Sequence, residues 1–228
     1  MIFEDENLKC LILFGSHARG DQTIESDIDL LGINESKKFT VRNIDSVNFS
    51  FYSPTKALDM SCNGDLFFLH IIKEGKCLFN EVFFTQLKSS FRFKNSYIDE
   101  ASVAFYLALK IFENKDKIIN WPVANKRISW CVRTILIALS AENKTPYFSK
   151  SQLSLALINN GFSFEDSILL IDAKNKKEKS DYILNLLLYF TVKYSFLKSK
   201  IKKKDFYSSS IVHVTLDTII NSIPVNYE

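Results

Sequence analysis

Cys10-Leu11-Ile12-Leu13-Phe14 is an apolar run that stops at Gly15. This is the pattern of a buried strand breaking at a turn. Ser16 is a favoured helix N-cap, so a helix is expected to start there. After a loop from Gly20 to Glu25, alternation resumes at Asp27-Ile28-Asp29-Leu30. A strand there places Asp27 and Asp29 on one face and turns Ile28 and Leu30 to the other, into the core. A further alternating run, Ser46 to Tyr52, puts Val47, Phe49 and Phe51 on one side and Ser46, Asn48, Ser50 and Tyr52 on the other. Phe67-Phe68-Leu69-His70-Ile71-Ile72 reads as a helix laid against the sheet.

From about Ser96 onward the period changes from two to that of a helix. Val103, Phe105, Tyr106, Leu109 and Phe112 share helical spacing up to about Asn114. Pro122 opens a second helix in a permitted early position, and that helix runs to about Ala141. Ser149-Lys150-Ser151-Gln152 reads as a capped start and Gly161 as a stop. Helices over Asp181 to Lys198 and Asp205 to Ser222 complete a set of about five, enough for a bundle.

Composition fits this division. The 228 residues are 46% hydrophobic and include 20 Phe, which argues for a folded chain with a substantial core. The polar stretch from Lys88 to Ser96 is the expected boundary, giving domains 1–95 and 96–228. The first holds 11 Lys and Arg against 13 Asp and Glu, the second 18 against 13. An acidic first half suits a cation site, and a basic second half suits a polyanion. The four Cys show no paired metal spacing, and the three His are scattered, so neither a zinc site nor a disulfide framework is expected. No apolar run approaches the ~18 residues of a membrane span, and the acidic N-terminus is unlike a signal peptide. A cytoplasmic protein with no membrane partner is the expectation.

The chemistry concentrates near the N-terminus. Gly15 lets the backbone turn and a ligand approach closely. Helical N–H groups after it would face a phosphate, and Arg19 offers a positive fork nearby. Asp27 and Asp29 are like charges on one face, an arrangement that a bridging cation relieves. Mg²⁺ characteristically takes one or two carboxylates plus phosphate oxygens.

Gly15-Ser16, ten intervening residues and then Asp27-Ile28-Asp29 resemble the signature of the polymerase-β-like nucleotidyltransferase superfamily. Ala18-Arg19-Gly20-Asp21 and Ser26 match the flanking pattern of its small bacterial branch, the minimal nucleotidyltransferases and their larger relatives. The resemblance implies an α+β fold: a small mixed β-sheet nucleotidyltransferase domain followed by an α-helical bundle. It implies that Gly15 and Ser16 hold a nucleoside triphosphate, with Arg19 and Ser26 beside them. Asp27 and Asp29 would be the catalytic carboxylates that bind Mg²⁺ or Mn²⁺. The reaction it implies moves a nucleoside monophosphate, AMP from ATP foremost, to a hydroxyl acceptor and releases pyrophosphate. It also implies that the helical half closes one side of the cleft, making Lys126, Arg127 and Arg133 candidates for triphosphate or acceptor contacts.

The family usually carries a third carboxylate on the neighbouring strand. The polar face of Ser46–Tyr52 has none, Ser50 aligns nearest its expected position, and Asp45 has the wrong parity. An acid from the helical half (Glu142, Glu100 or Asp99) entering the site, turnover with one well-held metal, and nucleotide binding without turnover are the three alternatives. The acceptor is a protein, an RNA or a small molecule, and an oligomer is possible. Five lysines between Lys198 and Lys204 suit either a nucleic-acid backbone or a solvated helix end.

Overall fold

The computed structural model describes residues 7–24, 26–35, 39–201 and 210–221. Two compact units part between Asn95 and Ser96. In the first, the described strands are β1 (Leu8–Phe14), β2 (Ile28–Asn34), β3 (Thr40–Ile44), β4 (Val47–Tyr52) and β5 (Lys76–Phe79). They form a mixed sheet in the order β3-β4-β2-β1-β5. Only the β2–β4 pair is parallel; β1–β2, β1–β5 and β3–β4 are antiparallel.

Four helices accompany the sheet: α1 (Gly15–Arg19), α2 (Pro54–Cys62), α3 (Leu66–Glu74) and α4 (Glu81–Ser90). Side-chain caps begin the last three. Ser53 accepts from the Lys56 N–H, Asp65 from Phe67 and Phe68, and Asn80 from Phe83. Their apolar faces supply Ala57, Phe68, Ile71, Phe84 and Leu87 to a core shared with Cys10, Ile12, Leu31 and Ile33. The opposite sheet face is smaller, with Leu11, Leu30 and Phe49 buried and Ile28, Val47 and Phe51 beside them. Gly32 makes room there, since a Cβ on it would lie 2.4 Å from the Phe51 ring.

Leu30 is buried in a core with Ile28 beside it, as alternation predicts, but the larger core is on the face of Asp29, Leu31 and Ile33. Both parities of β2 turn apolar beyond Asp29, so alternation alone cannot rank the faces; the helices that cover one of them do.

The second unit is helical: α5 (Ile98–Glu113), α6 (Trp121–Glu142), α7 (Lys150–Ile158), α8 (Phe164–Ile171), α9 (Asp181–Lys193) and α10 (Ser210–Asn221). Helices α5 and α6 make the broadest contact of the unit, and each carries buried alanines: Ala101, Ala104 and Ala108 on α5, and Ala124, Ala138 and Ala141 on α6. Ser149 and Gln152 close a reciprocal capping box at the start of α7, and Gly161 beyond its end has φ 90°. The helix expected over Asp181 to Lys198 instead ends at Lys193, and a tighter helical turn follows at Ser195–Lys200. Of the helix expected over Asp205 to Ser222, α10 is seen; Asp205 and Ser222 lie outside the described residues, as do Lys202, Lys203 and Lys204. Among the described residues no helix is long and apolar enough to cross a membrane.

Candidate active site

The site is built where β1 ends and β2 begins. Phe14, the last residue of β1, pairs with Asp29 of β2. The chain then turns at Gly15, which is buried and has φ 74°. A Cβ on Gly15 would lie 2.7 Å from Asp29 Oδ2. Left-handed backbone and the overlying carboxylate therefore both demand glycine at this position. The turn leads straight into α1, with Phe14 as its N-cap and no side-chain capping bond. Ser16 is thus the second helical residue and not the cap expected from sequence, because the glycine turn starts the helix one residue early. The Ser16 hydroxyl is half-buried and makes no hydrogen bond among the described residues.

Asp27 and Asp29 differ in setting. Asp29 is half-buried and accepts a 3.2 Å hydrogen bond from Asn48 Nδ2 on β4, the residue opposite it in the parallel ladder. Asp27 is exposed, lies one residue before β2, and has no hydrogen bond or ion pair among the described residues. The residue beside Asp29 is therefore Asn48; Ser50, aligned from the sequence as nearest to the third-acid position, pairs instead with buried Leu31. Among the described residues no three His, Cys, Asp or Glu side chains are grouped to hold a metal ion.

Ser26 shapes the loop in front of Asp27. Its hydroxyl accepts from the Thr23 N–H at 2.9 Å, and its own N–H donates to the Thr23 carbonyl at 3.0 Å. A ring nitrogen of His17 reaches the Ser26 carbonyl at 3.2 Å. His17 thus ties α1 to the segment that delivers Asp27, a role that a lone histidine in sequence does not advertise.

Arg19 is committed to carboxylates of its own unit. Nη1 donates to Glu74 Oε2 at 2.6 Å, and Nε contacts both Asp21 oxygens at 3.1 Å. The same Glu74 oxygen lies 2.7 Å from His70 Nε2. Burial disfavours the guanidinium charge, yet the bonds to Asp21 and Glu74 outweigh it and raise the Arg19 pKa above its ordinary value. Arg19 fastens α1 to α3 through Nη1, and its Nε holds Asp21. His70 and Glu74 stand one helical turn apart on α3, so their pairing was the one visible sequence signal for this cluster.

The donor set suits a small hard cation: two carboxylates and a hydroxyl, all oxygen. In the second unit, the Glu142 carboxylate accepts from the Ser96 hydroxyl at 3.1 Å and from the Tyr97 N–H, which commits it to the start of α5. Lys126 is exposed on α6, and Arg127 and Arg133 are half-buried there.

No curated protein matches the chain. A crystal structure of a nucleotidyltransferase-like protein from Exiguobacterium sibiricum 255-15 is similar at 18% identity and a TM-score of 0.36, over 86% of this chain and 70% of that one. The family model described as polymerase beta, nucleotidyltransferase, matches residues 1–82, the stretch that holds the whole sheet and the Gly15–Asp29 turn. The similarity of this chain to nucleotidyltransferases of the polymerase-β type thus spans its N-terminal 82 residues.

Proposed function

We propose that the protein is a Mg²⁺-dependent nucleotidyltransferase of the cytoplasm. It transfers a nucleoside monophosphate, AMP from ATP foremost, to a hydroxyl group on a protein, an RNA or a small molecule. The observation that carries this reading is the Asp29 carboxylate lying against Gly15 at the mouth of the turn, with Asp27 two residues before it exposed and without a hydrogen bond or ion pair among the described residues. Such a layout has no packing purpose: it holds one acid over a position where only glycine fits and leaves the other in solvent.

A divalent cation on Asp27 and Asp29 would neutralise triphosphate charge and favour the pyrophosphate leaving group. The turn at Gly15 and Ser16 holds the phosphate chain, Ser16 with its free hydroxyl. Ser26 and His17 set the loop that leads into Asp27. Arg19 acts from behind by fixing α1 to α3. The acceptor oxygen attacks the α-phosphorus, the α–β bridging P–O bond breaks, and the hydroxyl proton passes to water. Catalysis of this kind is chiefly positioning and charge neutralisation.

A binding-only reading draws on one observation, the amide of Asn48 beside Asp29 where a further acid would assist turnover. The test separates the two. The protein is incubated with each α-³²P-labelled nucleoside triphosphate and Mg²⁺ or Mn²⁺ in a cell lysate, which is then fractionated into protein, RNA and small molecules. Label in one fraction that is lost with Asp27→Asn is the expected result. Metal-dependent nucleotide binding without label in any fraction would overturn the transferase in favour of a nucleotide-binding protein.

A further inference from the structure

Asn48 decides how many cations the site can hold. It stands opposite Asp29 in the β2–β4 ladder, and its Nδ2 donates to Asp29 Oδ1. Chemistry fixes the direction of that bond, because an ionised carboxylate only accepts and the amide must offer its N–H. The N–H occupies a lone pair of Asp29 and places positive partial charge between β2 and β4. A cation standing there would meet that charge and would have to break the bond. The anionic side is equally limiting. Asp27 and Asp29 together carry the charge of one dication, and no third acid groups with them among the described residues.

We propose that Asn48 limits the site to a single divalent cation, bound with the nucleoside triphosphate by Asp27 and Asp29, and that a carboxylate at position 48 admits a second. The inference rests on the proposed function, since it takes nucleotide and metal to share this site. Neighbouring strands lie about 4.8 Å apart. A carboxylate in place of the Asn48 amide would therefore sit close to Asp29 with like charge. Such a pair is relieved by a bridging cation or by protonation of one member. Two cations held close together would clamp the attacking and leaving oxygens, and like-charged carboxylates at positions 29 and 48 would favour such a pair. With an amide there, the protein keeps the cation that travels with the triphosphate and lacks the one that would activate an acceptor. Slow turnover at one cation follows for the wild-type chain.

The test counts Mn²⁺ by equilibrium dialysis and electron paramagnetic resonance at saturating α,β-methylene-ATP, corrected for Mn²⁺ on free nucleotide. Wild type and Asn48→Ala should each bind about one Mn²⁺ per chain, and Asn48→Asp about two. Asn48→Asp should also melt below wild type in a chelator and recover on addition of Mg²⁺, a response that Asn48→Ala lacks. Two Mn²⁺ on the wild type overturns the proposal, as does a folded Asn48→Asp protein that stays at one. Should Asn48→Asp fail to fold even with Mg²⁺, Asn48→Glu takes its place in the count, with two Mn²⁺ expected and a folded protein that stays at one overturning the proposal. Failure of the wild type to take up the analogue with Mn²⁺ would instead sink the proposed function from which the inference starts.

Discussion

The two units of this chain solve different problems with their polar groups. In the helical unit, polar side chains close off the backbone: Ser149, Ser163 and Ser180 cap α7, α8 and α9, and Asn125 binds the Lys176 and Glu178 carbonyls. Glu142 is spent the same way on Ser96 and Tyr97. In the sheet unit, Ser16 and Asp27 cap nothing, while Ser26, His17, Arg19 and Asn48 hold them and Asp29 in place. Polar residues serve the fold in both units, Ser53, Asp65 and Asn80 capping helices in the sheet unit, but in that unit the proposed function sets Ser16, Asp27 and Asp29 aside for a ligand. Substitutions in the helical unit should therefore register as stability, and those at the Gly15–Asp29 turn as binding.

The largest expected effect is in the helical core. Phe190 on α9 is fully buried and packs on Tyr194, ring centroids 4.5 Å apart, and on Phe162 at 6.3 Å. Phe190→Ala removes the ring and leaves a cavity, at a cost of about 3–5 kcal/mol. Urea unfolding followed by far-ultraviolet circular dichroism should show the midpoint fall accordingly. A loss under 1 kcal/mol would mean that α9 is not part of a tightly packed core.

An intermediate effect is expected where the two roles meet. Glu74 bonds Arg19 and His70 while only 14% of its side chain is exposed, and Arg19 ends the helix that begins at Gly15. Glu74→Gln leaves the Arg19 charge half-buried with Asp21 as its remaining acid. The expected cost is about 1.5–3 kcal/mol. Because α1 has no N-terminal side-chain cap, loosening its other end should also weaken Mg²⁺-dependent nucleotide binding, read by isothermal titration. Lower stability with unchanged affinity would place Arg19 among the purely structural residues and break the contrast between the units.

The same contrast explains what could be read from sequence. Gly15, Asp27 and Asp29 were legible because a strand, a glycine turn and a second strand are local, and their polar residues interrupt runs that packing would otherwise fill. The helical half was legible from periodicity and caps: the Ser149–Gln152 start and the Gly161 stop both stand in the structure. What stayed hidden depends on partners far apart in the chain. Asn48 beside Asp29 follows from the β2–β4 register, which no local pattern sets. The bond from Arg19 to Glu74 was hidden because Glu74 lies 55 residues away. Strand β3 was missed because most of its residues are exposed, β5 because it has only four residues, and α8 because it is a short helix of eight.

The smallest effect tests the capping side of the contrast. Ser149 accepts from the Gln152 N–H, while the Gln152 side chain accepts from the Ser149 N–H, so two otherwise orphaned donors at the start of α7 are satisfied together. Ser149→Ala removes one of these bonds and should cost about 1 kcal/mol. For a chain of this size that is a fall in Tm of about 2–4 °C, measurable by calorimetry. Ser149→Asp retains an acceptor at the cap and a negative charge favourable at a helix N-terminus, so it should recover most of the loss. Recovery by Asp and not by Ala would show that the hydroxyl works as a backbone acceptor, the structural use that Ser16, with no such partner, does not have.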